Sequence, residues 1–307
     1  MERLEFHISY RCSNRCIFCN ERDRIEEFGP QPVDIKSIEH HLIIKRKEGF
    51  NHVTFTGGEP TLVDGFIDIL RFSKDLGYTT YTTSNGAKFC SRTYTKEALK
   101  YLDEICLSLH GDSAKLHNLH TQNCESFSKI IKAFENISIS SKKLKLSVNT
   151  VVTKFNIDKL EKIVRLILRY NKVKNYIVSN IAPEGDGLRN FSLIVTRLHK
   201  FKKQIKVLAG LARKHSLTLR FFGIPLCILG KDLIYSNDLF WDQRATIEKD
   251  LINGEVVLNE VRDYLPQRNR VKTVKCKACI FDSLCGGVFN SYISQFQGNE
   301  LTSITLL

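Results

Sequence analysis

The chain has 307 residues, 42% of them hydrophobic and 10% aromatic, which suffices for one barrel-sized core plus an appendage and excludes a disordered polymer. Its formal charge of +13 and pI near 9.2 favour an anionic partner such as RNA, a nucleotide or an acidic peptide. The basic residues, however, are strung along predicted helices (Lys154, Lys159, Lys162, Arg165, Arg169) and in Lys142, Lys143 and Lys145, as on solvated faces, with no nucleic-acid module beside them. No apolar run reaches bilayer length, and Met1 to Ser9 carries Glu2, Arg3 and Glu5 where a signal peptide has a basic and then an apolar stretch. A cytoplasmic protein with no membrane partner is expected, its core beginning almost at Met1.

The first predicted strand, Leu4 to Ser9, runs into Cys12, Cys16 and Cys19 in C-x-x-x-C-x-x-C spacing. Thiolates are soft ligands that select iron-sulfur clusters or zinc, and three where four would close a site leave one metal position open. A zinc knuckle or a redox pair also uses short cysteine spacings. After a helix over Ile35 to Glu48, the strand His52 to Thr56 enters Gly57, Gly58, Glu59 and Pro60, where paired glycines let a ligand approach bare backbone. A helix over Val63 to Leu76 leads to the strand Thr79 to Thr83 and the turn Ser84, Asn85, Gly86. That turn reads either as a plain Asn-Gly breaker or as a source of side chains for a ribose or carboxylate.

A helix over Thr95 to Leu102 precedes the strand Glu104 to Leu109, whose period of two sets Cys106, Ser108 and His110 on one face, toward the barrel interior if Leu107 and Leu109 meet helices. His110 is a substrate-site acid, base or donor, or a structural histidine. Next come a helix over Ser126 to Asn136 and the strand Lys145 to Val152, on which Asn149 shares a face with Ser147 and Val151. Asn149 is either a ligand contact or a buried amide satisfied by backbone. A helix over Asp158 to Tyr170 stripes Leu160, Ile163, Val164, Ile167 and Leu168, and the sixth strand is Tyr176 to Asn180. Six strands alternating with helices predict an α/β fold with parallel strands and crossover helices, sites gathering at the strands' carboxyl ends. Past Pro183 two glycines lie in Glu184 to Leu188, and an amphipathic stretch covers Leu193 to His215. The expected division is 1–215 and 216–307, with no internal repeat.

The second cysteine group is Cys276, Cys279 and Cys285 in C-x-x-C-x-x-x-x-x-C spacing, followed by Gly286 and Gly287. With ten cysteines gathered chiefly in two ligand-like loops, reduced thiolates in a reducing setting are expected.

Together the first cysteine loop and the Gly-Gly-Glu-Pro turn resemble the radical S-adenosylmethionine superfamily, in the branch of molybdenum-cofactor, pyrroloquinoline-quinone and peptide-maturase enzymes. The resemblance implies an open, partial (β/α)6 TIM-like barrel with a small C-terminal auxiliary-cluster domain. It implies a [4Fe-4S] cluster on Cys12, Cys16 and Cys19, its open iron chelated by the amino and carboxylate groups of S-adenosyl-L-methionine. Gly57, Gly58 and Glu59 would contact the methionine amino group, Phe18 the adenine, Ser84, Asn85 and Ser108 the ribose or carboxylate, and Asn149 the adenosine. The second group resembles the central part of the SPASM and twitch domains, but the position four after Cys285 is Phe289, so a single auxiliary [4Fe-4S] cluster is expected. Cys227, the other cysteine beyond the barrel, is its expected fourth ligand, while a zinc on the same four residues stays open. The activity so implied is reductive cleavage of S-adenosylmethionine to a 5′-deoxyadenosyl radical that abstracts hydrogen from a substrate. That substrate would be a ribosomally made peptide and the electron donor a flavodoxin or ferredoxin. An RNA- or nucleotide-modifying enzyme and a non-catalytic metal-binding protein are the rival readings, with nucleic acid a less favoured partner.

Overall fold

The computed structural model describes residues 3–240, 243–263 and 269–305; Met1 and Glu2 of the N-terminal reading lie outside them. Period-two alternation builds the sheet. Strand β1 (Arg3–Ser9) sinks Leu4, Phe6 and Ile8 into the core and turns Glu5 and His7 the other way. The same rule runs through β2 (His52–Gly57), β3 (Thr79–Ser84), β4 (Glu104–Ser108), β5 (Lys145–Val151) and β6 (Val173–Ser179), all parallel. These are the six expected strands. Three more come from beyond Ser216: β7 (Thr218–Phe222) beside β6, and the hairpin β8 (Arg244–Ile252) and β9 (Glu255–Asp263), with β8 parallel to β1. The nine-stranded order is β7-β6-β5-β4-β3-β2-β1-β8-β9. The sheet is thus open, a partial barrel with β7 and β9 at its edges.

Helices α1 (Arg22–Phe28), α2 (Ile35–Lys47), α3 (Phe66–Asp75), α4 (Arg92–Ala98), α5 (Ala114–Thr121), α6 (Ser126–Ser138) and α7 (Leu160–Ile167) connect the first six strands. Of these, α1 and α5 were not legible in the sequence. Amphipathic stripes fix the outer layer: Leu160, Ile163, Val164 and Ile167 of α7, and Ile130, Phe134 and Ile137 of α6, are all buried. Asp34 caps α2 by accepting from the Ser37 N–H at 3.0 Å. Beyond β6 follow the short α8 (Gly185–Arg189) and α9 (Phe191–Ile194), the long α10 (Leu198–His215) and α11 (Leu226–Leu229). The ribbon β10 (Arg270–Val271) and β11 (Val288–Phe289) pairs antiparallel across the second cysteine loop. Among the described residues no helix is long and apolar enough to cross a membrane.

Candidate active site

The loop after β1 carries Cys12, Cys16 and Cys19 to a cavity of about 320 Å³ at the carboxyl ends of the strands. Phe18, Gly57, Gly58, Glu59, Ser84, Asn85, Ser108 and Asn149 line the same cavity, so the structure brings together every residue singled out around the first loop. The loop is tied down from outside. Arg15 and Ile17 donate backbone N–H groups to Thr121 and His120 at the end of α5, each at 2.9 Å, and Asp186 N–H of α8 donates to the Cys19 carbonyl at 2.8 Å. Gly185 adopts φ +51°, and a Cβ there would meet the Cys19 carbonyl oxygen at 2.5 Å. The two-glycine segment past Pro183 is therefore a buttress of the cysteine loop.

Burial raises all three thiols, Cys19 up to about 12 and Cys16 well above its usual range. In Cys16 the neighbouring Cys12 and Cys19 add to the effect. Three soft donors on one cavity wall, with Cys12 and Cys19 disfavouring a negative charge on Cys16, suit a cationic metal-sulfur centre, which takes thiolates outright. Among the described residues no three His, Cys, Asp or Glu side chains are grouped to hold a single metal ion.

The Gly-Gly-Glu-Pro turn packs its glycines directly against the chain that enters the cysteine loop. At Gly57 (φ +114°) a Cβ would lie 2.2 Å from the Ser9 carbonyl oxygen, and at Gly58 one would lie 2.5 Å from that of Arg11. Gly58 N–H donates to Ser9 at 2.6 Å and Glu59 N–H to Arg11 at 2.7 Å. The paired glycines thus let the chain leading into the cysteine loop approach bare backbone, while both also line the cavity. Glu59 is buried. Its Oε1 accepts from Thr61 N–H (3.2 Å), Thr61 Oγ1 (2.5 Å) and Ser84 Oγ (2.8 Å), and its Oε2 from Asn85 N–H (2.7 Å). Burial pushes its carboxyl above the usual range although these donors oppose the shift. With Oε1 saturated, Oε2 keeps acceptor capacity for a cationic group in the cavity.

Ser84 spends its hydroxyl on Glu59 and accepts from Gly86 N–H at 3.0 Å. Asn149 on β5 accepts from Ser179 Oγ of β6 at 2.8 Å, and Ser179 also lines the cavity. Ser179 was missed, although it lies three residues past Tyr176 within the predicted sixth strand. His110 is buried edge-on to Phe18 with ring centroids 4.7 Å apart. Its Nδ1 accepts from Val151 N–H at 3.2 Å, which places its proton on Nε2. Burial, then the neighbouring His117 and His120, hold it neutral.

Beneath the cysteine loop, His7 lies between Glu21 (Nδ1 to Oε2, 3.3 Å) and Glu5 (Nε2 to Oε1, 3.4 Å), and Arg244 of β8 donates to Glu5 at 3.0 Å. Against the burial that opposes it, these carboxylates raise His7 to about 10. Glu5, also opposed by burial, is brought down to about 2 by His7 and Arg244. The signal for this charged floor was the polar half of the Leu4–Phe6–Ile8 alternation.

The second group also converges. Cys227 on α11 and Cys276, Cys279 and Cys285 line one narrow pocket of about 20 Å³. Burial raises the Cys227 thiol, and proximity to Cys285, Cys276 and Cys279 adds to it. The Cys285–Gly287 turn is clamped by a pair that sequence reasoning missed. Arg270 donates to both carboxylate oxygens of buried Asp238 at 2.9 and 2.8 Å, and to the Gly287 carbonyl, while Gly286 N–H donates to Asp238 at 3.0 Å. Cys106 is buried in β4, facing a polar chamber of about 280 Å³ that adjoins the first cavity.

A profile described as the Radical SAM superfamily matches residues 6–167. An S-adenosylmethionine-dependent nucleotide dehydratase of Flammeovirga pacifica is 27% identical over 165 residues, covering 50% of this chain and 55% of that protein. A probable GTP 3′,8-cyclase of Saccharolobus islandicus is 29% identical over 217 residues, covering 67% and 68%. The chain thus spans about half the length of the first of these relatives. Streptococcus suis SuiB bound to S-adenosylmethionine aligns over 98% of this chain and 76% of its own, with TM-score 0.65 and 17% identity. SuiB bound to the precursor peptide SuiA aligns over 71% and 48%, with TM-score 0.58 and 21% identity, and at these identities the likeness is one of fold. Cysteine loop, glycine turn, parallel barrel and matched profile agree, and the chain belongs to the radical S-adenosylmethionine superfamily of enzymes.

Proposed function

We propose that the chain cleaves S-adenosylmethionine reductively and directs hydrogen abstraction at a substrate held against the open side of the barrel. The observation that carries this reading is that three thiols and the Gly-Gly-Glu-Pro turn wall a single cavity. Cys12, Cys16 and Cys19 would hold a [4Fe-4S] cluster. When bound, the cluster and S-adenosylmethionine supply one-electron cleavage and a hydrogen-abstracting radical. The chain's own residues bind and orient. Glu59 Oε2 receives an ammonium group, Asn149 and Ser179 together offer polar contacts to a ribose, Ser108 adds another from β4, and Phe18 with His110 closes one wall to water. Cys227, Cys276, Cys279 and Cys285 would hold an auxiliary [4Fe-4S] cluster in a unit drawn from residues 216–307. The setting is a reducing cytoplasm with a flavodoxin or ferredoxin as donor.

For the substrate we propose a ribosomally made peptide, supported by the fold likeness to SuiB, whose structure carries a precursor peptide. A nucleotide is the second reading. The named sequence relatives favour it, as does the adjoining chamber, walled by Thr54, Thr56, Tyr81, Thr83 and Asn149, which suits a hydrophilic group. The test is 5′-deoxyadenosine release by anaerobically reconstituted protein under dithionite, alone, with short peptides encoded beside its gene, and with nucleoside triphosphates. No release under any condition overturns the enzyme reading, and stimulation by triphosphates alone replaces the peptide.

A further inference from the structure

We infer that Asn85 is a positioning residue for Cys12, its side-chain amide directed at the sulfur so as to raise the reduction potential of the centre that the first loop holds. This rests on the proposed cluster at Cys12, Cys16 and Cys19. Asn85 is fixed at three points. Its backbone N–H donates to Glu59 Oε2 at 2.7 Å, and its side-chain Oδ1 accepts from Ala87 N–H at 2.9 Å. That second bond settles which way the amide faces, since the NH₂ group cannot accept from a backbone N–H. The NH₂ group is therefore the one turned to the cysteine loop, 3.1 Å from Ser13 Oγ and 3.8 Å from Cys12 Sγ.

Cys12 receives a second donor on the same sulfur, the Asn14 backbone N–H at 3.5 Å. An electron added to an iron-sulfur centre spreads partly onto its thiolates, and an N–H dipole aimed at one of them stabilises the reduced state more than the oxidised state. The contact thus shifts the centre toward easier reduction. It also joins two functions in one residue. The backbone of Asn85 holds the carboxylate assigned to a cationic ligand, and its side chain is turned to the sulfur assigned to the cluster.

The experiment is a reductive titration of anaerobically reconstituted full-length protein followed by low-temperature electron paramagnetic resonance, reading the signal that added S-adenosylmethionine perturbs. In Asn85→Ala the midpoint potential should fall while iron content stays at the wild-type value. Asn85→Leu keeps the backbone bond to Glu59 and much of the side chain's volume but offers Cys12 neither a donor nor a charge, so its potential should fall as that of the alanine variant does. A residue that only holds the turn leaves the potential at the wild-type value in whichever variant retains its iron. A wild-type potential with iron retained in either variant overturns the inference. Should the alanine variant lose its cluster, the leucine variant decides: a potential below wild type supports the inference and one equal to wild type overturns it. Wild-type protein that binds no iron at the first loop overturns the proposed function instead.

Discussion

The two cysteine centres are built on opposite plans. The first spreads three thiols along the wall of a cavity of about 320 Å³, among the polar ends of six strands and above a charged floor. The second gathers four thiols around about 20 Å³, under a loop locked by the buried Arg270–Asp238 pair. A three-thiol wall beside free volume is arranged to admit a ligand; the four thiols of the second site share their narrow pocket with apolar residues and have little free volume beside them. Reactivity is therefore expected at the first centre and bracing or electron storage at the second.

The largest effect should separate the two outright. Replacing Cys16 with alanine leaves two thiols at the open site and should abolish 5′-deoxyadenosine formation. The Cys12, Cys16, Cys19 triple-alanine variant should keep about half of the roughly eight irons of two cubanes. Activity near wild type in Cys16→Ala would sink the assignment. Adding Cys227→Ala to the triple variant should then make the remaining metal labile. Zinc at that site, or metal indifferent to Cys227, removes the auxiliary cluster without touching the first centre.

The next effect is confined to the second centre. Asp238→Ala strips a buried guanidinium of its bidentate partner and also frees Gly286 N–H, a loss of about 3–5 kcal/mol for a broken buried pair. The outcome to measure is early release of the second centre's metal on mild heating, with the first centre's signal intact. Loss of both centres together would show that the sheet, rather than the loop, depends on the clamp.

A smaller effect belongs to the first centre's ligand. Glu59→Gln keeps most of the shape but replaces one acceptor oxygen with a donor facing Thr61, Ser84 or Asn85. It should weaken S-adenosylmethionine binding by about 1–3 kcal/mol, as a buried group left unsatisfied does. Iron content should stay near wild type; unchanged affinity in equilibrium dialysis would make Glu59 a hinge for the turns of β2 and β3 alone.

How much of this was legible differs between the centres for physical reasons. The six strands and the faces of Ser108 and Asn149 followed from local signals, because alternation sets a strand's faces without knowledge of its partners, whereas Phe18, Gly57, Gly58, Glu59, Ser84 and Asn85 were singled out through the family resemblance. The β8–β9 hairpin was missed although Asn253-Gly254, both at positive φ between paired Ile252 and Glu255, is a strong two-residue hairpin signal. Charges along β8 and β9 masked the strand pattern. The convergence of Cys227 with residues about fifty positions downstream, and the Arg270–Asp238 clamp, depend on where the chain travels after β7, which no local period reports. Glu59 shows the other limit: its residue type pointed to a charge partner, but the four donors that already hold it belong to two separate turns.

The least effect tests whether charge distinguishes the centres. His7 is raised from an unfolded value near 6.5 to about 10, so the stability it contributes is full below about pH 6.5 and lost as pH rises through 10. Glu5 is lowered to about 2, so its contribution is full above about pH 4.5 and lost as pH falls through 2. Both are intact together only between about pH 4.5 and 6.5. The melting temperature of His7→Gln should accordingly lie furthest below wild type near pH 6, with the gap closing as pH rises toward 10. Asp238→Ala should show a gap that is flat over the same range, because no imidazole takes part in its pair with Arg270. A pH-independent gap for His7→Gln would mean that the imidazole between Glu5 and Glu21 is held neutral, leaving the Glu5–Arg244 pair to carry the charge of the first centre's floor.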